Sequence, residues 1–496
     1  MVEKVCINVD KQHTGSKIKL SSNLWKQLIS FHRTLLYMHY DFLLASQSPI
    51  SGSELREIPG NYQMPARMWR YGIHLFLDLL LENLPDSLDF LIEFIQLAYS
   101  MMTLCLESFE VFCDIWMECL GDLARCRMGI EDRDQDVWAE AARYWYNQSA
   151  NFSPGEGRIQ HHLGVLAYPD TLQKLCHYTR ALVSIRPFLH TKKSIELVFN
   201  PYHEHRMDLG GHTMTTAFIA THYTLYYRRP VDEFSTLATC FLDLLRKEAV
   251  QDQTALYIMS CNFASVLQYG DLEAIVALEM AQKDSKTAIE PCLSSPISMS
   301  ALDLATEIKD ARGLTAANFH FPPMALQGAI LSFHTLSILI DSLNETSVCA
   351  SGHISLSFIW CLALRPNAIQ RLETLIPWTD IARFLNTLIN PDIVFEKIED
   401  RAFPRYEGVA RYLPEDFLIR GQTWSQLYYP HDFFQDTASK EERPVIEYPS
   451  IGIPRRHRCL WLGVRIATAT FGRWFAYNGR KFDITQRALR NVSMPP

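Results

Sequence analysis

The sequence predicts an all-α protein built as a tetratricopeptide-like array of helices. Apolar residues recur at three- and four-residue spacing with charged residues between them over most of the chain, and strand-like alternation is almost absent. Two stretches also resemble each other: residues 120–124 read Leu-Gly-Asp-Leu-Ala, and residues 163–167 read Leu-Gly-Val-Leu-Ala. An internal repeat set among amphipathic helices is typical of a helical scaffold.

Each repeated stretch begins a pair of helices. In a tetratricopeptide-type repeat a leucine and a glycine stand side by side so that a second helix can pack closely, and small residues recur on that second helix. The sequence offers each stretch a partner helix that ends near a proline. The partner residues are Ala142, Tyr146, Ser149 and Pro154 for the first stretch, and Tyr178, Ala181 and Pro187 for the second.

Helical periodicity also divides the chain into domains. The predicted helical segments before residue 200 are 21–44, 67–84, 88–106, 109–128, 137–150, 158–166 and 172–183, with a Pro/Gly/Ser-rich loop at 47–65. Prolines and glycines interrupt the helical periodicity at 199–211, and further helix pairs follow up to residue 390. After residue 390 leucines at helical spacing become fewer, and aromatic residues and prolines become more frequent. We therefore predict three domains: 1–200, a helical hairpin domain at 201–390, and its helical or irregular extension at 391–496.

Composition excludes several classes of protein. With 48% hydrophobic and 21% charged residues, the 496-residue chain has the composition of a soluble, well-cored protein, and its net charge of −8 argues against a surface built throughout to bind nucleic acid. The twelve cysteines form no CxxC pair, which favours a reducing compartment, cytoplasmic or nuclear. The apolar segment 347–364 contains several serines and His353, so we predict a buried core helix there and no membrane partner.

The C-terminal end of the chain is basic. From Arg443 onward it contains ten arginines or lysines and two acidic residues, Glu447 and Asp483, which gives a formal charge of +8. Such a segment could bind phosphate backbones or an acidic partner, or it could be a solvated face that balances acidic helices elsewhere. Because a run of charge alone is weak evidence of a binding site, we favour the second interpretation.

Signatures of catalysis and of metal binding are missing from the sequence. The cluster His203, Glu204, His205, Asp208 and His212 holds metal-ligand residue types, but its spacing matches no helical metal motif and it lies in a predicted linker. The chain contains no P-loop, no dinucleotide fingerprint and no GxSxG elbow. We therefore predict a protein that is not an enzyme and binds neither a cofactor nor a metal.

Arginines near the repeated stretches are candidate anion ligands. Arg125 follows the first stretch on a helix whose other face must be buried, and Arg127 and Arg180 lie close in the pattern. Guanidinium groups that converge on a groove would bind a phosphoserine or phosphothreonine, because each can donate two parallel hydrogen bonds to a phosphate. The alternative is that these arginines form surface or interhelical salt bridges. Judged from the residues alone, we favour the salt bridges over a phosphate site.

The repeated stretches and their partner helices resemble the Est/SMG family of telomerase regulators and nonsense-mediated mRNA decay adaptors. The family signature runs LGD-x-ARYR, then a Y-x-x-A helix, then NQLA-x-LA, then a YY-x-RS-x-x-x-x-PF end. The matching residues here are 120–127 (LGDLARCR), 142–154, 162–167 (HLGVLA) and 178–188. Beyond residue 200 the chain resembles the variants of this family found in filamentous fungi, in the stretches 353–358, 413–421 and 455–463.

The resemblance implies a 14-3-3-like N-terminal domain followed by a domain of helical hairpins. The groove of such a domain binds a phosphorylated peptide, which in the decay adaptors belongs to the up-frameshift RNA helicase. Arg125 matches the phosphate-binding arginine of the ARYR element, and residues 68–74 (MWRYGIH) align with the family's LWNHAFK-like helix. That alignment puts His74 in place of a phosphate-contacting lysine, and Cys126 replaces the tyrosine that follows the arginine.

The predicted phosphate site is therefore Arg125, aided by Arg70, His74 and Arg180. Arg70 lies one helical turn before His74 and could supply the missing cation. We expect a non-catalytic adaptor that binds a phosphorylated protein in nonsense-mediated mRNA decay or telomere maintenance, and that forms a heterodimer with a paralogous adaptor. Two alternatives stay open: a protein that binds RNA or single-stranded telomeric DNA through the basic C-terminal segment, and a helical scaffold with a vestigial phosphate site.

Overall fold

Helices dominate the computed structural model of the chain, which describes residues 20–131, 133–203, 213–281, 322–342, 345–407, 411–434 and 451–493. The strands in these ranges form one antiparallel ribbon, β1 (Phe475–Tyr477) and β2 (Phe482–Ile484). The predicted all-α class is confirmed. The chain divides into two compact units, which we call unit 1 (Met1–Pro154) and unit 2 (Gly155–Pro496).

Unit 1 is helical throughout its described part. Its α-helices are α1 (Ser22–Gln47), α2 (Ser53–Asn61), α3 (Met64–Arg67), α4 (Leu75–Glu82), α5 (Leu88–Ser108), α6 (Cys113–Ile130) and α7 (Gln135–Phe152). A π-helix (Met68–His74) joins α3 to α4, and a 3-10 turn (Glu110–Phe112) precedes α6. Ser21 is the N-cap of α1, because its hydroxyl accepts a hydrogen bond from the Leu24 amide in the first turn.

An aromatic core connects three helices of unit 1. His32 of α1 is fully buried, with its ring stacked on Phe76 of α4 (ring centroids 4.4 Å apart) and edge-on to Phe94 of α5 (5.9 Å). Burial lowers the pKa of His32, which keeps the ring neutral at pH 7. Its Nδ1–H donates to the carbonyl oxygen of Gly72 (2.9 Å), so a side chain of α1 binds the backbone of the π-helix.

The glycine of each repeated stretch lies against an aromatic ring of the following helix. A Cβ atom on Gly121 would lie 2.6 Å from Cε1 of Tyr146 in unit 1, and one on Gly164 would lie 2.5 Å from Cε1 of Tyr178 in unit 2. Cβ atoms do not approach other atoms so closely, so both positions require glycine. The predicted close packing of a second helix on each Leu-Gly pair is confirmed.

Unit 2 contains the remaining helices. They are α8 (Gly157–Val165), α9 (Thr171–Leu182), α10 (Thr191–His203), α11 (Met214–Tyr226), α12 (Val231–Lys247), α13 (Asp252–Val266), α14 (Ile275–Ala281), α15 (Pro323–Ser342), α16 (Glu345–Ala363), α17 (Pro366–Leu372), α18 (Trp378–Thr387), α19 (Phe395–Glu399), α20 (Asp416–Ile419), α21 (Gly452–Ala469) and α22 (Gln486–Ser493). Short 3-10 turns lie at Gln268–Gly270 and Thr423–Ser425. One hydrophobic core extends from Leu172 of α9 to Ala488 of α22.

The division between the units differs from the predicted domain boundary near residue 200. Every residue of α9 from Leu175 to Leu182 is buried, and its side chains share one core with helices that follow residue 200. Helix α9 therefore belongs to unit 2, which an amphipathic pattern does not reveal when both faces of a helix are covered. The assignment of separate domains to 201–390 and 391–496 stays a prediction.

Two described helices are long and apolar enough to span a membrane by length and composition, Leu88–Ser108 and Pro323–Asp341. In the second, 83% of the most apolar window is buried inside the protein, as expected of a core helix. The segment 347–364, predicted to be a buried core helix, lies largely in α16. Its described side chains from Cys349 to Ile359 are all buried, which confirms that prediction for them.

Helix α21 ends in a Schellman turn with a phenylalanine where glycine is usual. The Phe471 amide donates to the Thr468 carbonyl (3.1 Å) and the Gly472 amide to the Ala467 carbonyl (2.8 Å), the two hydrogen bonds that define this turn. Phe471 has a φ of 53°, in the left-handed region, and it is 91% exposed. The residue therefore strains the backbone without contributing to the core.

Replacing Phe471 with glycine should raise the free energy of unfolding by about 1 kcal/mol, because glycine adopts a positive φ without a Cβ clash. Phe471→Ala is the control, since it removes the ring but keeps the Cβ atom, and it should bring no such gain. Urea denaturation followed by tryptophan fluorescence measures both variants. An equal gain from alanine would show that the strain arises from the ring and not from the backbone.

Candidate functional site

Arg125 lies on α6 with its side chain 36% exposed, and two neighbours in unit 1 hold it. Its Nε–H donates to the hydroxyl of Tyr146 on α7 (3.2 Å), and its Nη2 donates to Oδ1 of Asp122, one turn earlier on α6 (3.2 Å). The Tyr146 hydroxyl in turn donates to the same Asp122 oxygen (2.6 Å). The three side chains thus form a closed hydrogen-bonded triangle.

The triangle uses one edge of the guanidinium group. Nε and Nη2 lie on the edge that faces Tyr146 and Asp122, and together they account for two of the five N–H donors of Arg125. Within the described part of the chain Nη1 has no hydrogen-bond partner. The outer edge, formed by Nη1 and the second N–H of Nη2, can therefore donate to an anion from solution.

The charge states of the triangle are fixed at physiological pH. Partial burial of Arg125 opposes its charge, but Tyr146 and Asp122 more than compensate and hold the pKa of Arg125 above its ordinary value. Burial and the nearby Asp122 carboxylate raise the pKa of Tyr146 well above its usual range. Arg125 is thus a permanent cation, and the hydroxyl of Tyr146 keeps the proton that it donates to Asp122.

The segment 68–74, aligned with a family motif, forms the π-helix of unit 1. Its Arg70 side chain is exposed, with the guanidinium carbon 5.5 Å from the ring centroid of Tyr71 and no carboxylate partner in the described chain. Gly72 permits the close approach of α1, because a Cβ atom there would lie 2.9 Å from Leu36. π-Helical turns are rare and frequently mark functional sites, which agrees with a binding role for this segment.

His74 ends the π-helix and is paired with a carboxylate. Its Nδ1 lies 2.9 Å from Oδ2 of Asp78, and the two side chains are 53% and 50% exposed. An exposed pair of this kind contributes little to stability, because water screens it. The imidazole is therefore accessible, and an incoming anion would compete with Asp78 for it.

Cys126, which replaces the tyrosine of the family motif, follows Arg125 on α6. Burial raises the pKa of its thiol to about 11; Arg125 opposes the shift, and the carboxylates of Asp122 and Asp78 add to it. The thiol therefore stays protonated at pH 7. That Arg125 and His74 bind one phosphate together stays a prediction.

Arg180, the fourth predicted ligand, occupies a different environment in unit 2. It is 2% exposed, with Nη1 donating to Oε1 of Gln160 (2.8 Å) and Nη2 to the backbone carbonyl of Phe417 (3.0 Å). Burial lowers its pKa. Its guanidinium is closed off from the surface, so Arg180 is not a phosphate ligand in this structure and we leave it out of the site proposed below.

The basic C-terminal segment uses two of its arginines in the interior of unit 2. Arg455 donates from Nε (2.7 Å) and Nη2 (2.9 Å) to the carboxylate of Glu415, and Arg458 donates to Asp416 (3.1 Å). All four side chains are at most 3% exposed. The predicted solvated face is therefore wrong for these two arginines, which are structural and unavailable to a nucleic acid.

The hydrogen bonds that Asp122 and Tyr146 make to Arg125 were not predicted from the sequence. The sequence predicts a motif position for Asp122 and a packing role for Tyr146, but an aspartate three residues before an arginine on one helix also indicates an ion pair. Of the His/Glu/Asp cluster that begins at His203, only His203 is described. Its remaining members lie outside the described residues.

These features define a class of protein: an all-α scaffold with tetratricopeptide-like Gly–Tyr packing and a partly exposed arginine on its first repeat.

Comparison with known proteins adds three findings. No family model matches the chain. EST/SMG-like protein 2 of Saccharomyces cerevisiae is 24% identical over 188 residues, which cover 37% of this chain and 15% of that protein. A chain in the crystal structure of Est1 and Cdc13 matches with a TM-score of 0.59 at 10% identity, over 98% of this chain and 99% of its own length.

The chain is therefore related to the Est/SMG family, as its motifs predict, and it shares the helical fold of the Est1–Cdc13 crystal structure. The matched part spans about a seventh of the length of EST/SMG-like protein 2, so the similarity concerns a segment of that relative and not the whole of it.

Proposed function

We propose that this protein is a non-catalytic adaptor that binds a phosphorylated serine or threonine of a protein partner on the surface of unit 1. Arg125 is the principal ligand of the phosphate. Arg70, on the π-helix, contributes further positive charge, and the accessible imidazole of His74 contributes a hydrogen-bonding group. A phosphate of about two negative charges and three acceptor oxygens can engage more than one of these cations, which an unmodified serine cannot.

One observation carries this proposal. The outer edge of the Arg125 guanidinium is accessible and unbonded in the described chain, while its inner edge is held by Asp122 and Tyr146. Three other arginines are bonded within the protein: Arg127 to Glu131 (2.6 Å), Arg180 to Gln160, and Arg455 to Glu415. Arg125 is thus both oriented by the protein and free to bind an external anion.

The biological setting of the proposal rests on the relationship to the Est/SMG proteins. We infer a role in nonsense-mediated mRNA decay or telomere maintenance, in the cytoplasm, the nucleus or both. The phosphorylated partner is then an up-frameshift-type RNA helicase or another regulated component of the same complexes. A paralogous adaptor is a second partner.

A fluorescence-anisotropy titration tests the proposal. Serine-rich peptides, phosphorylated and unphosphorylated, are titrated with the wild-type protein and with Arg125→Glu at two salt concentrations. We expect the wild type to prefer the phosphorylated peptide by about tenfold or more, and Arg125→Glu to lose that preference, because a charge-assisted bidentate contact becomes a repulsion. Arg133→Glu, a charge reversal at another exposed arginine of unit 1, is the matched control and should bind as the wild type does.

Two other results would contradict the proposal. Equal, weak binding of both peptides by the wild type and by Arg125→Glu would indicate a scaffold with a vestigial site. Indifference to phosphorylation, together with oligonucleotide binding that weakens steeply with salt, would favour the nucleic-acid alternative. The buried ion pairs of Arg455 and Arg458 argue against the C-terminal segment as the main surface for such binding.

A further inference from the structure

We propose that Tyr146 and Asp122 are positioning residues of the Arg125 site: they fix the guanidinium so that its Nη1–Nη2 edge faces the incoming phosphoryl group. This inference rests on the proposed function. It also makes the hydroxyl of a core tyrosine part of the binding machinery.

The position of the Tyr146 hydroxyl is fixed by packing. Tyr146 is fully buried, and its ring lies directly on Gly121, where a Cβ atom would come within 2.6 Å. A ring clamped in this way cannot rotate freely, so its hydroxyl is held at one point between α6 and α7. From that point it accepts from Nε of Arg125 and donates to Asp122.

The fixed hydroxyl fixes the guanidinium in turn. Asp122 is held by a 2.6 Å hydrogen bond from Tyr146, so its carboxylate stays in place to accept from Nη2 of Arg125. With Nε and Nη2 both bonded on the inner edge, the planar group has one orientation left. Its outer edge then offers two parallel N–H donors, the geometry that binds two oxygens of one phosphate.

The second repeat supplies an internal comparison. Gly164 packs on Tyr178 as Gly121 packs on Tyr146, yet the positions equivalent to Asp122 and Arg125 are Val165 and Tyr168. Gly–Tyr packing therefore does not need the aspartate or the arginine. Their presence in the first repeat alone points to a second task for that tyrosine, beyond packing.

A double-mutant cycle tests the inference with the phosphorylated and unphosphorylated peptides used above. Tyr146→Phe keeps the ring on Gly121 but removes the hydroxyl, and we expect it to weaken phosphopeptide binding by about three- to tenfold. In an Arg125→Lys background, which keeps a cation but has no edge to orient, Tyr146→Phe should cause no further loss. Tyr178→Phe is the matched control from the second repeat and should leave binding unchanged. Thermal unfolding of each variant verifies the fold.

The possible results separate the two proposals. If Arg125→Lys and Arg125→Glu both bind the phosphopeptide as the wild type does, the proposed function fails. If they lose affinity but Tyr146→Phe does not, or if Tyr146→Phe weakens binding equally in both backgrounds, only the positioning role is overturned.

A comparison of Asp122→Ala with Asp122→Asn provides an independent test should Tyr146→Phe fold poorly. Both variants remove the negative charge of Asp122, but only asparagine keeps an oxygen that can accept from Arg125 and Tyr146. We therefore expect Asp122→Ala to bind the phosphopeptide about three- to tenfold more weakly than Asp122→Asn. Equal affinities of the two variants would overturn the inference, because the acceptor would then have no part in orienting Arg125.

Discussion

Replacing Glu415 with alanine is expected to lower the free energy of unfolding by about 3–5 kcal/mol, the usual cost of leaving a buried charge without its partner. Glu415 is fully buried in unit 2. Its carboxylate accepts two hydrogen bonds from Arg455 (2.7 and 2.9 Å) and one from Nδ1 of His353 (3.0 Å). The alanine variant removes the carboxylate that accepts from both Nε and Nη2 of Arg455, which is 3% exposed. Guanidinium denaturation followed by circular dichroism measures the loss.

Glu396→Ala is the matched control for this prediction. Glu396 is an exposed glutamate of the short helix α19 in the same unit, so its removal should change the free energy of unfolding by less than about 0.5 kcal/mol. A loss of under about 1 kcal/mol for Glu415→Ala would contradict the assignment of a buried, paired charge, because water would then have to reach Arg455 in place of the carboxylate.

The same carboxylate gives unit 2 a defined pH dependence. Burial opposes the ionisation of Glu415, but Arg455 and His353 hold its pKa well below its ordinary value. A carboxylate whose pKa is depressed by folding stabilises the folded state fully above its unfolded pKa of about 4.3, and this stabilisation is lost as the pH falls below that value. The wild type should therefore lose stability below about pH 4, and Glu415→Gln, which cannot titrate, should lose less over the same interval.

The second large effect concerns the first repeat: Gly121→Ala is expected to destabilise the protein by about 1–3 kcal/mol, the usual cost of overpacking. The new Cβ atom would lie 2.6–2.7 Å from Cε1 and Cδ1 of Tyr146, whose buried ring cannot move aside without disturbing α7. The added methyl group improves helix propensity, but that gain of at most about 1 kcal/mol is smaller than the clash.

Gly129→Ala is a control of opposite sign on the same helix. Apart from its chain neighbours and the backbone of its own helix, no atom lies within 4 Å of the Cβ position at Gly129, so only the gain in helix propensity remains and the variant should be slightly more stable than the wild type. Thermal unfolding measures both variants side by side. Equal shifts in the two would mean that Tyr146 does not pack on Gly121 as described.

The helical repeat could be predicted from the sequence because its signal is local. A leucine and a glycine, followed by a helix with a tyrosine, constrain each other through close packing, and the pairs Gly121–Tyr146 and Gly164–Tyr178 show that contact in both repeats. The position of Arg125 on the partly exposed side of α6 could be predicted for the same reason, because its motif lies on one helix; its role as a phosphate ligand stays a prediction. Its hydrogen-bond partner Tyr146 lies 21 residues away, and the sequence predicts only a packing role for that residue.

Features that depend on distant residues could not be predicted in this way. The sequence shows a basic C-terminal segment, but it does not show which acidic residues pair with it. Arg455 donates to Glu415, 40 residues earlier in the chain, and Arg458 donates to Asp416, 42 residues earlier. The burial of Arg180 depends on Phe417, 237 residues later. His353, Glu415 and Arg455 come from three separate stretches of the chain and meet in one ionic cluster.

The ionic cluster also determines when unit 2 can finish folding. Glu415 and Asp416 are synthesised about 40 residues before the arginines that neutralise them, so on the ribosome they remain without a cation until α21 has emerged. Two uncompensated carboxylates do not enter an apolar interior, and the region around them must therefore stay hydrated until then. A premature stop codon immediately before α21 would remove Arg455 and Arg458, and it would therefore prevent the core around His353 from closing.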